Sequence, residues 1–104
     1  MLEKYYRLKV LYKNYVVLIK NGNFFEVFNK DAIVMNRIFG YKVMFYKKYL
    51  KLGFSIDLRN IVFRKLEKNN INYIIFDKEL IDKVKFKRNR YEEFYFEFNK
   101  ILMF

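Results

Sequence analysis

The segment with the most distinctive chemistry spans residues 21–28, where a tight turn leads into an aromatic strand that contains one carboxylate. Asn21-Gly22 lies between two runs of β-forming residues, which is the strongest short-range signal for a β-hairpin, and such a turn requires positive φ at both residues. Because side chains alternate along a strand, Phe24 and Glu26 are expected side by side on one face. We therefore place the candidate functional site at this ring and carboxylate.

The residue types that most catalytic sites need are missing. The sequence has no cysteine and no histidine, which removes disulfides, thiolate ligands, the usual general base and the commonest metal ligand. Ser55 is the only serine, there is no threonine, and no base is available to activate a hydroxyl nucleophile. Glycine-rich phosphate-binding motifs are also absent. The sequence predicts a protein that is not an enzyme and uses no cofactor and no metal ion.

The charge of the chain favours a polyanionic partner. It carries 22 Lys+Arg against 11 Asp+Glu, a net charge of +11, which suits nucleic acid. Charge alone does not distinguish DNA from RNA, since both are polyanions. No apolar run reaches the length of a membrane span and no signal peptide begins the chain, so we expect no membrane partner and a cytoplasmic location. The candidate phosphate contacts are Lys9, Lys20, Lys85, Lys87, Arg88 and Arg90.

The candidate site must be positioned by the elements around it. Helical periodicity covers residues 2–14, and residues 16–20 and 23–28 form the two strands of the hairpin. A second helix follows, with Asn29 as its N-terminal cap and Gly40 as a left-handed residue at its C-terminus.

Further elements complete a sheet. Strand patterns occur at residues 41–46 and 52–56, and Asp57 is expected to cap a third helix. A continuous apolar run at residues 72–76 is typical of a central strand buried on both faces. The predicted fold is an α/β (α+β) domain with an N-terminal hairpin and a mixed sheet flanked by helices.

The C-terminal part is expected to add a helix. We divide the chain into an α/β domain, residues 1–84, and a basic connector with an aromatic C-terminal helix, residues 85–104. A strand with three phenylalanines on one face is the alternative for residues 91–104, but the helix accommodates more apolar positions in one stripe. This stripe is either packed on the domain or forms a seam for a homodimer or a larger nucleic-acid enzyme. Its members are Tyr91, Phe94, Tyr95, Phe98, Ile101 and Leu102.

Three motifs follow one another along the first third of the chain: Tyr5-x-x-Leu8-Lys9, Gly22-Asn23-Phe24-Phe25-Glu26-Val27-Phe28, and Asp31-Ala32. Their order and spacing resemble the N-terminal mismatch-recognition domain (domain I) of the MutS DNA mismatch repair proteins. The corresponding motifs there are Tyr-x-x-Leu-Lys, Gly-Asp-Phe-Tyr-Glu-Leu-Phe and Asp-Ala. The resemblance extends over about residues 5–78 and implies the fold of that domain.

The resemblance also implies roles for the two central side chains. In that family the first aromatic of the motif wedges from the minor-groove side and stacks on a mispaired base, and the glutamate hydrogen-bonds the same base. These roles would fall on Phe24 and Glu26, with binding of mispaired or distorted duplex DNA. The family's proline, histidine and glutamine positions carry Ser55, Asp57 and Lys78 here. Since the chain has the length of about one domain, we expect a stand-alone relative rather than a complete mismatch repair ATPase.

The same residues allow other interpretations. Phe24 could belong to the core, and Glu26 could be a solvated strand residue or only an ion-pair partner for Lys20 across the hairpin. The basic cluster at residues 85–90 is either a phosphate-contacting patch or a solvated connector. The alternative function is a protein-interaction or RNA-binding accessory module that keeps the fold without mismatch readout.

Overall fold

A computed structural model describes the backbone of residues 2–102 and the side chains of residues 2–96. Its helices are α1 (Leu2–Leu11), α2 (Asn29–Phe39), α3 (Arg59–Lys68) and α4 (Tyr91–Leu102). Its strands are β1 (Val16–Asn21), β2 (Phe24–Phe28), β3 (Met44–Phe45), β4 (Leu50–Ser55), β5 (Tyr73–Asp77) and β6 (Glu79–Val84). A short 3-10 helix, Ile56–Leu58, leads into α3.

The strands form one mixed sheet in the order β3-β4-β2-β1-β5-β6. β1 is parallel to β5, and the other described neighbours are antiparallel. Both faces of β1 are buried, because Val16 and Leu18 belong to one hydrophobic cluster while Val17 and Ile19 belong to another. Side chains of α2, α3 and α4 complete the first cluster, and those of α1 complete the second. The predicted α+β architecture with a mixed sheet and flanking helices is confirmed.

The alternation predicted for β2 is also confirmed. Phe25 and Val27 lie in the first cluster, whereas Phe28 lies in the second, beneath α1. Because alternate residues share a face, Phe24 and Glu26 lie on the α1 side of the sheet. This side is covered by α1 at one end of β2 and is open at the other, where Phe24 is exposed.

Two predicted helix caps are wrong. Phe28 occupies the N-cap position of α2, and Asn29 has a positive φ of 49° with its Oδ1 accepting a hydrogen bond from the N–H of Leu50 at 3.0 Å. Asp57 caps no helix, since its own N–H donates to Ser55 Oγ at 3.2 Å. The side chain of Asn29 is therefore used by the backbone of β4, and Asp57 lies inside the 3-10 helix Ile56–Leu58, where Ser55 is the N-cap. By contrast, Gly40 takes the predicted left-handed conformation at the end of α2.

Two strands differ from prediction. The pattern at residues 41–46 yields only the two-residue β3, and β6 was not predicted because all but one of its residues are exposed and give no alternating pattern. Strand β6 pairs with β5 and forms one edge of the sheet. No helix within residues 2–102 has the length and apolar character needed to cross a membrane.

Helix α4 confirms the helical interpretation of the C-terminal residues. Tyr91 is fully buried in the first cluster, and Lys30 Nζ lies 2.8 Å from Glu92 Oε1. These contacts fix the start of α4 on α2. The predicted stripe also includes Phe98, Ile101 and Leu102, whose side chains lie outside the described residues.

Candidate nucleic-acid interface

The hairpin turn presents the ring of Phe24 to solvent. Asn21 pairs with Phe24, so the turn residues are Gly22 and Asn23 rather than the predicted Asn21 and Gly22. Only Gly22 of this pair has positive φ, 62°, which corresponds to a turn with glycine at its first central position. The N–H of Ile56 donates to the Asn23 carbonyl at 3.0 Å, which ties the turn to the end of β4. The backbone beside Phe24 is thus fixed, while its side chain is 54% exposed.

Glu26 lies on the same face as Phe24 but is only 6% exposed. It is in the middle of β2, opposite Ile19 on β1 and Gly53 on β4. Asn21 Nδ2 donates to its Oε1 at 3.0 Å, and Lys51 Nζ lies 2.5 Å from its Oε2. The hydrogen bond to Glu26 raises the pKa of Lys51. The carboxylate is therefore held in place from both neighbouring strands.

The suggested ion pair between Lys20 and Glu26 is wrong. Lys20 lies opposite Phe25 and therefore points to the other face of the sheet. Its Nζ is 3.8 Å from Asp77 Oδ2, at the end of β5. The structure also contradicts the interpretation of Glu26 as a solvated strand residue and of Phe24 as a core residue.

A groove of about 510 Å³ opens beside this ring and carboxylate. Gly53 contributes to it because it has no side chain directly across from Glu26. A Cβ atom built on Gly53 would meet nothing closer than the Phe25 carbonyl oxygen at 3.5 Å, and no positive φ requires glycine there. The other residues that line the groove are Tyr41, Lys42, Met44, Lys51, Phe54 and Leu58.

Sequence reasoning missed the two lysines of this groove, Lys42 and Lys51. Lys51 ends the basic run at residues 47–51, but no motif marks either lysine, and the position of Lys51 beside Glu26 depends on how β4 pairs with β2. Gly53 was a usable signal, since glycine inside a strand often marks a close approach of another group. The exposed apolar side chains of Met44 and Leu58 complete a mixed apolar and basic surface around Phe24.

Lys9 is placed away from this surface. Its Nζ contacts Asp31 Oδ1 at 2.9 Å and donates to the Tyr15 carbonyl at 2.7 Å. Asp31 is fully buried, and its other oxygen accepts hydrogen bonds from the hydroxyl of Tyr5 and the N–H of Val17, both at 3.0 Å. The ammonium group of Lys9 therefore forms an internal ion pair with Asp31.

The hydroxyl of Tyr91 also donates to Asp31. Burial raises the pKa of Asp31 and lowers the pKa of Lys9, and the attraction between them opposes both shifts. Burial likewise raises the pKa of Tyr5 and of Tyr91. These four side chains form a closed polar network, called here the Asp31 network, that links α1, α2 and α4.

The cluster at residues 85–90 lies at the other end of the sheet. Val84 pairs with Tyr73, and Tyr73 pairs with Val16, the first residue of β1, whereas Phe24 pairs with the last residue, Asn21. At about 3.3 Å per residue, the length of β1 separates the two ends by about 17 Å. The structure therefore does not bring the cluster together with Phe24 and Glu26.

Within the cluster, the side chains differ in their surroundings. Lys85, Lys87 and Arg88 are exposed, whereas Arg90 donates from Nε to Glu93 Oε2 at 2.8 Å and lies over the ring of Phe94. Among the described side chains, no group of acidic residues is arranged to hold a metal ion.

Comparison with known proteins gives one result that bears on this surface. A family model described as MutS domain I matches residues 1–66. The matched region contains α1, the hairpin, α2 and β4, and with them the ring, the carboxylate and every residue that lines the groove. No curated protein matches the chain.

Proposed function

Because the chain belongs to the MutS domain I family, which matches residues 1–66, we propose that it is a non-enzymatic DNA-binding domain for mispaired or otherwise distorted duplex. In this proposal Phe24 is the wedge and Glu26 contacts a base. The observation that carries it is an exposed aromatic ring next to an anchored carboxylate, at the edge of a groove that contains lysines.

The position of Phe24 suits a wedge. The ring is more than half exposed, yet its backbone belongs to β2, which is paired on both sides by β1 and β4. Little conformational freedom is therefore lost when the ring enters a duplex. Unstacking a base step costs about a few kcal/mol, and least where pairing is already defective. A preference for mispaired duplex follows from this difference rather than from base sequence.

Glu26 would contact the base on which Phe24 stacks. The two residues are two positions apart on one face, which separates their Cα atoms by about 7 Å. A carboxylate accepts hydrogen bonds through about four positions, so two internal donors leave capacity for an N–H group of a base. A base stacked on Phe24 would bring its edge toward this carboxylate.

Nearby cations would contact the phosphates. Lys42 and Lys51 line the groove. Lys85, Lys87 and Arg88 would contact phosphates farther along the same duplex, since their cluster lies at least about 17 Å from Phe24 along the strand direction. With a net charge of +11, binding is expected to weaken steeply with salt.

The test measures affinity by fluorescence anisotropy for matched and singly mismatched duplexes at two salt concentrations. We expect tighter binding of the mismatched duplex, and Phe24→Ala should remove this preference, a loss of roughly 5- to 150-fold for a stacking contribution of about 1 to 3 kcal/mol. Phe45→Ala is the matched control because Phe45 is 80% exposed but does not line the groove. The proposal is wrong if the parent protein binds both duplexes equally and Phe24→Ala changes neither affinity.

An RNA duplex of the same sequence tests the alternative partner. Stronger competition by RNA than by DNA would favour the RNA-binding accessory role over the one proposed.

A further inference from the structure

We propose that Lys51 is a positioning residue of the same site: it is the internal counter-ion that allows Glu26 to face a nucleic acid. This inference rests on the proposed function and assigns a role to a side chain that no sequence motif marks. It begins from the contact between Lys51 Nζ and Glu26 Oε2 at 2.5 Å.

The pairing register explains how these two side chains meet. Glu26 is directly opposite Gly53, and Lys51 is two residues from Gly53 on the same strand, so Lys51 and Glu26 are diagonal neighbours on one face. Diagonal neighbours on adjacent strands lie within reach of long side chains. Gly53 has no side chain, and the residues that line the groove include Gly53, Lys51 and Glu26.

An uncompensated carboxylate at this position would oppose binding. Glu26 is 6% exposed, so water screens its charge only partly, and the phosphates of an approaching duplex carry the same sign. The ammonium group of Lys51 makes the pair close to neutral while it leaves acceptor positions on the carboxylate unused. Lys51 is itself 29% exposed and lines the groove, so its charge also faces the duplex.

Fold stability gives no sufficient reason for this ion pair. A largely buried ion pair often stabilises a protein no more than apolar side chains of similar volume would. The groove beside the pair also contains apolar side chains, Met44 and Leu58. We therefore attribute this charged pair, next to an exposed aromatic ring, to what the groove binds.

The experiment is a double-mutant cycle read out by affinity for a singly mismatched DNA duplex, with folding of each variant checked by thermal unfolding. Lys51→Met should lower the affinity about tenfold or more, because it leaves a buried carboxylate facing phosphates. Lys42→Met, which removes the same charge from the same groove, should lower it by at most about fivefold, the contribution of one phosphate contact. In a Glu26→Gln background, Lys51→Met should lower the affinity no more than Lys42→Met does. Lys51→Arg, which keeps the counter-ion, should bind within about twofold of the parent protein.

The outcomes separate this inference from the function on which it rests. If the parent protein binds no duplex, or does not prefer the mismatched one, the proposed function is overturned and this inference with it. If the parent protein shows the preference but Lys51→Met and Lys42→Met lose equal affinity, only the role of Lys51 is overturned. The role of Lys51 is also overturned if Lys51→Met binds the duplex more tightly than the parent protein, because the lysine would then block Glu26. It is overturned too if Lys51→Met lowers the unfolding temperature without lowering the affinity.

Discussion

Two carboxylates of this domain each contact a lysine, yet one is enclosed by the fold and the other borders a groove. Asp31 is fully buried and accepts hydrogen bonds from three side chains and one backbone N–H. Glu26 is nearly as buried, but its two internal partners are Asn21 and Lys51. Since a carboxylate has about four acceptor positions, Asp31 has none left for a ligand and Glu26 does. We expect the number of internal donors and the access to the groove, rather than the presence of an ion pair, to separate a structural carboxylate from one that can bind a ligand.

The comparison also divides the motifs that carry the family resemblance. Tyr5 and Lys9 of the first motif and Asp31 of the third meet in the Asp31 network and hold α1 and α2 against the sheet. Phe24 and Glu26 of the second motif are the ones that face outward into the groove. Two of the three motifs therefore maintain the fold, and the second is the candidate site.

The largest effect is expected on stability, when the buried carboxylate of Asp31 is replaced. Asp31→Asn should lower the free energy of unfolding by about 3 to 5 kcal/mol, because it leaves the mostly buried ammonium group of Lys9 without its counter-charge. Chemical denaturation measures this loss, which is a large share of the about 5 to 15 kcal/mol typical of a domain. Asp77→Asn is the control, since that carboxylate is 38% exposed and 3.8 Å from Lys20, and it should change stability by less than about 1 kcal/mol. Equal losses in the two variants would contradict a structural role for the Asp31 network.

An intermediate effect is expected when the groove beside Glu26 is filled. It should lower the affinity for mismatched duplex rather than the stability of the fold. Gly53→Val places a branched side chain across from Glu26, where a Cβ meets nothing closer than 3.5 Å. The free energy of unfolding should change by no more than about 1 kcal/mol, because valine suits a strand. Affinity for mismatched duplex should fall about tenfold, as expected when a contact worth 1.4 kcal/mol is blocked.

Gly53→Ala provides a graded comparison for this prediction, because its single methyl group fills less of the groove. It should bind with an affinity between those of the parent protein and Gly53→Val. If both variants bind as the parent does, the groove beside Glu26 is not occupied by nucleic acid.

Most of the fold could be predicted because its signals are local. The hairpin follows from a glycine-containing turn between β-forming runs, and the end of α2 follows from Gly40 at a left-handed position. The division of β2 into two faces follows from the period of a strand, as the burial of Phe25 and Val27 shows. Strand β6 was missed because its exposed, charged residues give no alternation.

The surroundings of the site could be predicted only in part, because they depend on contacts between distant segments. The pair Phe24 and Glu26 was found from alternation within one strand. Lys51 was not, since its contact with Glu26 requires the register between β2 and β4, and no local pattern encodes it. Lys9 illustrates the opposite error: helical periodicity places a lysine on α1 but does not show that Asp31 binds its ammonium group.

The smallest expected effect concerns the pH dependence of the stability that Lys51 contributes. Its hydrogen bond to Glu26 raises its pKa above the ordinary value of 10.5. A lysine whose pKa is raised in the folded state adds stability that is fully present below the unfolded pKa and is lost as the pH rises through the folded pKa. The difference in free energy of unfolding between the parent protein and Lys51→Met should therefore be constant from about pH 7 to pH 9 and shrink above about pH 10.5.

In the Glu26→Gln background the same substitution should give a difference that changes less with pH, because the carboxylate that raises the lysine pKa is gone. An equal decline in both backgrounds would mean that Lys51 owes its stabilising effect to another group, and the contrast between the enclosed and the open carboxylate would then rest on Asp31 alone.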